Sequence, residues 1–208
     1  DGGARLYTAS EIDRLLDDRH GDPAAGERLA ERLQRDGVRV EALEEIVRGD
    51  RVTEAPASVK LPANLPVGKL IGGLPLACEH VDYKTTFFLY LPKDFDPDTV
   101  YPLFLCGHGG NGAMQKERAT RTAGYGASVW RQIADERGVI VAAPVTERGW
   151  GAIGNSILVS LISKLQRNYL IDPDRIYVTG HSMGGHLSWR TALTMADRFA
   201  GVSPMSGG

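Results

Sequence analysis

Gly180-His181-Ser182-Met183-Gly184 sets a serine between two glycines, each two residues away. A serine so placed can serve as a nucleophile if the chain turns sharply there, because glycines let neighbouring backbone close in without a Cβ in the way. As a pattern it is weak, since 25 of the 208 residues are glycine. Its setting is stronger. A β-branched run, Arg175–Thr179, leads directly into it, and a helical pattern follows towards Phe199. Such a strand–turn–helix forces the serine into a strained backbone conformation and projects its hydroxyl at the carboxyl end of a sheet. The helix N-terminus beside it favours developing negative charge. The plainer alternative is a glycine-rich turn with an idle serine.

A second cluster, Gly107-His108-Gly109-Gly110-Asn111-Gly112, follows the apolar run Leu103–Cys106. One backbone N–H from this loop, together with that of Met183, could hold the oxyanion of a tetrahedral intermediate, an effect on the order of several kcal/mol. The loop lacks the Gly-Lys-Ser/Thr ending of a phosphate-binding loop. A serine nucleophile also needs a base and a carboxylate to orient it. After Ser182 the chain holds one histidine, His186, and one acid, Asp197, both on the helical pattern that follows. His181 adjoins the serine in a tight turn, where neighbouring side chains point apart. His108 belongs to the glycine loop, where a histidine braces backbone carbonyls, and His20 and His80 lie outside both motifs. No histidine pair has metal-ligand spacing, so neither a metal nor another cofactor is called for. Trp150, in Glu147-Arg148-Gly149-Trp150-Gly151 after the strand Val139–Ala143, either walls a substrate cleft or anchors its loop. Trp189, within the helix after the serine, reads as core.

The elements that must position these residues alternate. Tyr83–Leu91 reads as a strand, and Leu103–Cys106, Val139–Ala143 and Ile176–Val178 are apolar on both faces, as in a parallel sheet covered by helices. Between them run helical stripes: Trp130, Ile133 and Ala134; Leu158, Leu161, Ile162, Leu165 and Tyr169; and Ala192, Met195, Ala196 and Phe199. The alternation predicts an α/β class, a doubly wound sheet. Residues 1–50 carry amphipathic helical patterns, including the capping-box spacing Thr8-x-x-Glu11 and Asp22-Pro23 at a helix start, and form a helical extension. Residues 51–80, with Pro56, Pro62 and Pro66, make a linker and lead-in, and 81–208 make the core.

Composition narrows the classes. Twenty-four basic against 26 acidic residues, a net charge of −2, exclude a nucleic-acid binder driven by bulk charge. No apolar run reaches the roughly 18 residues of a membrane span. Two cysteines, Cys78 and Cys106, cannot build a disulfide framework; a buried free thiol suits Cys106, and a single bridge between the two stays open. The chain opens Asp1-Gly2-Gly3 without a charged-then-apolar leader.

Taken together, His108-Gly109-Gly110 after one strand and Gly180-His181-Ser182-Met183-Gly184-Gly185 after another resemble the α/β-hydrolase fold. The run Asp172-Pro173-Asp174-Arg175-Ile176-Tyr177-Val178-Thr179 before the serine is similar to secreted esterases of the polyhydroxybutyrate-depolymerase and feruloyl-esterase type. It is equally similar to small prolyl-oligopeptidase-like hydrolases. The resemblance covers roughly residues 80 to 208. It implies Ser182 as nucleophile, Met183 N–H and Gly110 N–H as oxyanion donors, and a small-molecule or polymer-linked ester as substrate. It also points to a secreted or periplasmic location. In that family the acid and the base follow later strands, whereas the sheet read here ends at a strand near Gly201–Ser206. A C-terminal segment or second chain is therefore expected to complete the site. The rival readings are a serine peptidase of prolyl-oligopeptidase type and a non-catalytic hydrolase-like binding module.

Overall fold

The computed structural model describes residues 61–207 apart from 63 and 80. The helices expected within residues 1–50, and His20 and His80, lie outside the described residues. The elements run β1 (Leu70–Ala77), β2 (Lys84–Tyr90), β3 (Tyr101–Gly107), α1 (Lys116–Ser128), α2 (Arg131–Arg137), β4 (Ile140–Pro144), α3 (Ala152–Gln166), β5 (Ile171–His181), α4 (Met183–Thr194) and β6 (Gly201–Met205). Six strands form one sheet in the order β1-β2-β4-β3-β5-β6. β1 and β2 pair antiparallel, and β2 meets β4 antiparallel; β4, β3, β5 and β6 are parallel. The expected mostly parallel α/β sheet is present.

Strand alternation divides the core between the two faces. Leu103 and Leu105 of β3, Ile140 and Ala142 of β4 and Phe87 and Leu89 of β2 join the cluster that holds Ile157, Leu158, Leu161 and Leu165 of α3 and Leu187 of α4. Their neighbours Cys106, Val141, Ala143 and Tyr90 join Ala127 of α1 and Ala134 of α2 on the other face. Helices thus cover both faces, which is why the central strands read as unbroken apolar runs. Phe104 stacks edge-on to Trp130 at 4.7 Å between centroids.

Several elements differ from the sequence reading. α1 shows no large apolar stripe because its buried residues are Ala119, Ala123 and Ala127. The small side chains bring it close to the sheet: a Cβ on Gly124 would lie 2.9 Å from the Phe88 ring. β1, within the lead-in, is interrupted by Gly72 and Gly73, where its register with β2 shifts. β5 begins at Ile171, ahead of the β-branched run. Asp172-Pro173-Asp174-Arg175 bulges out of register with β3, since Pro173 has no N–H for the ladder. Asp172 accepts from Asp174 N–H at 2.9 Å and from Arg175 Nε at 2.6 Å; the Arg175 bond is the main cause of its lowered pKa. α4 stops at Thr194, short of Phe199, and a single 3₁₀ turn follows.

Trp189 is 52% exposed, not core. The inward stripe of α4 is Gly184, Leu187, Ser188 and Thr191, residues small enough for the helix to lie close to the sheet. The two hydroxyls bond one turn back, to Gly184 O at 3.1 Å and Leu187 O at 2.8 Å, so burying them strands no polar group. Both cysteines are free and buried; burial pushes the Cys78 thiol up to about 12 and the Cys106 thiol higher still.

Candidate active site

The carboxyl ends of the parallel strands bring four segments together: the glycine loop after β3, the loop Val145–Gly151 after β4, the Ser182 turn after β5, and Ser206–Gly207 after β6. Ligands in open α/β sheets bind on this edge. Ser182 stands between β5 and α4 with φ 55° and ψ −115°, one of two non-glycine residues at positive φ among those described. Such a conformation costs on the order of 1–3 kcal/mol and persists only where its surroundings hold it. Here Ser182 N–H donates to Met205 O at 2.8 Å, while Ser182 O accepts from Gly185 and His186 N–H at 2.8 and 3.1 Å.

The glycine spacing has a steric cause. A Cβ on Gly180 would lie 2.5 Å from the Gly184 carbonyl and 2.6 Å from Gly107 O; one on Gly184 would lie 2.0 Å from Gly107 O. Gly185 and Gly207 pack backbone to backbone in the same way, with a Gly207 Cβ 2.4 Å from Gly185 C. β3, β5, α4 and the end of β6 therefore meet at separations that exclude any side chain. The sequence pattern marks the glycines flanking Ser182 but not Gly207, which no local signal singles out.

The glycine loop is pressed onto the serine turn. A Cβ on Gly109 would lie 3.7 Å from Ser182 Cβ and 3.1 Å from His181 O. Gly110 faces Met114 and Met183, the latter opening α4, so Met183 N–H has no helical carbonyl one turn back to bond. His108, 2% exposed, spans two loops: Nδ1–H donates to Gly109 O at 2.9 Å, and Nε2 accepts from Thr146 N–H at 3.1 Å. That pair of bonds fixes a neutral ring with the proton on Nδ1. Burial lowers its pKa. Trp150, 5% exposed, donates from Nε1 to His108 O at 2.8 Å and packs on the imidazole at 4.9 Å between centroids. It sits as a loop anchor. Thr146, which sequence reasoning missed, also donates through Oγ1 to Gly149 O at 3.1 Å and accepts from Arg148 N–H at 3.2 Å.

A pH dependence follows from His108. Unfolded, its imidazole takes up a proton near pH 6.5, whereas the buried ring does so only at lower pH. The unfolded state then binds more protons below about 6.5, so this contribution to stability is complete above that pH and is lost as pH falls through it. Between pH 7 and 5 the wild type should lose more unfolding free energy than His108→Gln in urea titrations. Equal losses would show that His108 is not held neutral.

Both nitrogens of His108 are engaged in bracing, so it offers no lone pair to a serine proton. His181 and His186 do not take its place: both are exposed, and among the described residues no imidazole is hydrogen-bonded to Ser182 Oγ. Asp197 lies exposed in the 3₁₀ turn. No group of three potential metal ligands occurs among the described residues, and no helix among them is long and apolar enough to cross a membrane.

Comparison with known proteins bears on the fold and the family. Residues 79–208 match the family model described as a putative esterase. The chain is 26% identical over 125 residues to a bifunctional acetylxylan esterase/xylanase of Neocallimastix patriciarum, covering 57% of this chain and 17% of that protein. It is 29% identical over 124 residues to poly(3-hydroxyalkanoate) depolymerase C of Paucimonas lemoignei, covering 51% and 28%. The chain thus spans less than a third of either relative's length. Among solved structures, a thermostable esterase superposes with a TM-score of 0.56 at 27% identity, over 67% of this chain and 41% of that one. The sheet, its covering helices and these neighbours are those of the α/β-hydrolase fold. With the family model covering well over half its residues, the chain belongs to the esterase family.

Proposed function

We propose that the protein hydrolyses carboxylic esters through an acyl-enzyme on Ser182. The observation that carries this is the strained Ser182 turn at the carboxyl end of β5, with the glycine loop packed against it, in a chain of the esterase family. Ser182 Oγ attacks the ester carbonyl carbon as its proton passes to a base. The N–H groups of Met183 and Gly110 hold the resulting oxyanion; collapse expels the alcohol, which takes the proton. Water then attacks the acyl carbon by the same route and releases the acid. Neither donor changes charge, so both stabilise the intermediate without reorganisation.

The base and its orienting carboxylate are supplied by polypeptide outside the described residues, since His108 is held in its loop and neither the His181 nor the His186 imidazole is hydrogen-bonded to Ser182 Oγ. The substrate class is a small-molecule or polymer-linked ester. Relatives named for acetylxylan and for poly(3-hydroxyalkanoate) support esters borne on polymers, and the resemblance to secreted esterases implies a secreted or periplasmic location.

A fluorophosphonate tests the assignment. The full-length protein should gain one phosphonyl adduct, and peptide mapping should place it on Ser182. Labelling at another serine would overturn the nucleophile. Absence of both labelling and ester turnover would favour a non-catalytic binding module.

A further inference from the structure

Met183 contributes a backbone N–H to the proposed site, but its side chain has a separate set of contacts. Its Sδ accepts a hydrogen bond from Gly112 N–H at 3.3 Å. A Cβ on Gly149 would lie 3.6 Å from the same sulfur, and one on Gly110 would lie 3.1 Å from Met183 Cε. One thioether is therefore bonded to the glycine loop at Gly112 and borders it at Gly110, with Gly149 of the loop after β4 alongside. Met114 closes the other side, its Sδ 2.2 Å from where a Gly110 Cβ would stand, and its N–H donates to Glu147 O at 2.8 Å. Both methionines are buried, at 8% and 9% exposed. Gly112, at φ +87°, has open space on its Cβ side; its N–H bond to the sulfur holds that end of the loop together with the approach of its backbone to Gly149, where a Cβ would stand 3.4 Å from Gly112 Cα.

We infer that the Met183 side chain is a positioning residue for the oxyanion site. The residue whose N–H is one donor also ties down the loop that carries the other, Gly110. The separation of the two donors is thus set by one side chain. This rests on the reading of Met183 and Gly110 N–H as oxyanion donors. A thioether suits this position because it is unbranched, fills the irregular gap between loops, and offers a soft acceptor. Leucine would fill much of the volume yet leave Gly112 N–H without its partner.

The test compares full-length wild type with Met183→Leu, with rates expressed per site titrated by fluorophosphonate so that unfolded protein is not counted. An oxoester and the matching thionoester are used, because a thiocarbonyl sulfur draws little on N–H donors. The leucine variant should lose about tenfold in kcat on the oxoester, with KM within about twofold, and much less on the thionoester, since small misplacements of a preorganised group cost rate steeply. The oxoester-to-thionoester ratio should therefore fall. A purely structural role would lower both rates equally, and an unchanged ratio would overturn the inference. Should Met183→Leu not fold, Met183→Gln keeps the length and supplies an oxygen acceptor; a retained wild-type ratio supports the inference and a lost one overturns it. A wild type that does not itself discriminate between the two esters would instead sink the oxyanion reading.

Discussion

Ser182→Ala is expected to lower kcat/KM on a p-nitrophenyl ester by about 10⁴- to 10⁶-fold in the full-length protein, while the melting temperature stays the same or rises. Loss of a serine nucleophile in enzymes of this mechanism costs on the order of 10⁶ in rate, the residue of catalysis coming from oxyanion donors and binding. Stability should not suffer, because the anchors of the turn are backbone groups: Ser182 N–H to Met205 O, and Ser182 O from Gly185 and His186 N–H. Nor does the hydroxyl cap α4. Steady-state kinetics with a calorimetric melt check both halves. Turnover within about tenfold of wild type would mean that another group is the nucleophile.

Gly184→Ala should have the largest effect on stability, removing most of the folded protein. The added Cβ would stand 2.0 Å from Gly107 O and 2.6 Å from Gly107 C, both backbone atoms of a central strand. No rotamer can relieve that contact; α4 must lift from the sheet, separating Leu187 from the core. A cost above about 4 kcal/mol is expected, a size that arises only from such gross overpacking or its equivalents. Gly126→Ala is the control. Gly126 is helical, with open space at its Cβ position, so alanine there should stabilise by about 0.5–1 kcal/mol. Soluble yield and urea midpoints measure the contrast. A folded Gly184→Ala with a near-native midpoint would show that the β3–α4 approach is looser than described.

Both variants fall on features that are legible in the bare chain. Apolar runs locate β3, β4 and β5, because strands buried on both faces leave an uninterrupted signal, and glycine clusters follow β3 and β5. The serine turn is legible for a related reason: glycine on both sides of a serine between a strand and a helix is a local record of backbone crowding. The bracing role of His108 and the anchoring alternative for Trp150 were also within reach, since a histidine in a glycine loop has mostly carbonyls and N–H groups for company.

Other features exist only once the chain has folded. α1 buries only alanines, so its face gives no apolar stripe, and β1 takes its place by pairing with β2 across a glycine irregularity. Trp189 defeats the helical pattern because α4 lies too close to the sheet for a large inward side chain; serine and threonine take the inner positions by folding their hydroxyls back on the helix. Met114, Thr146, Met183 and Gly207 belong to four different segments, far apart in the chain and linked by no periodicity. Only the parallel strands, which end on one edge, bring those segments against the serine turn and against one another.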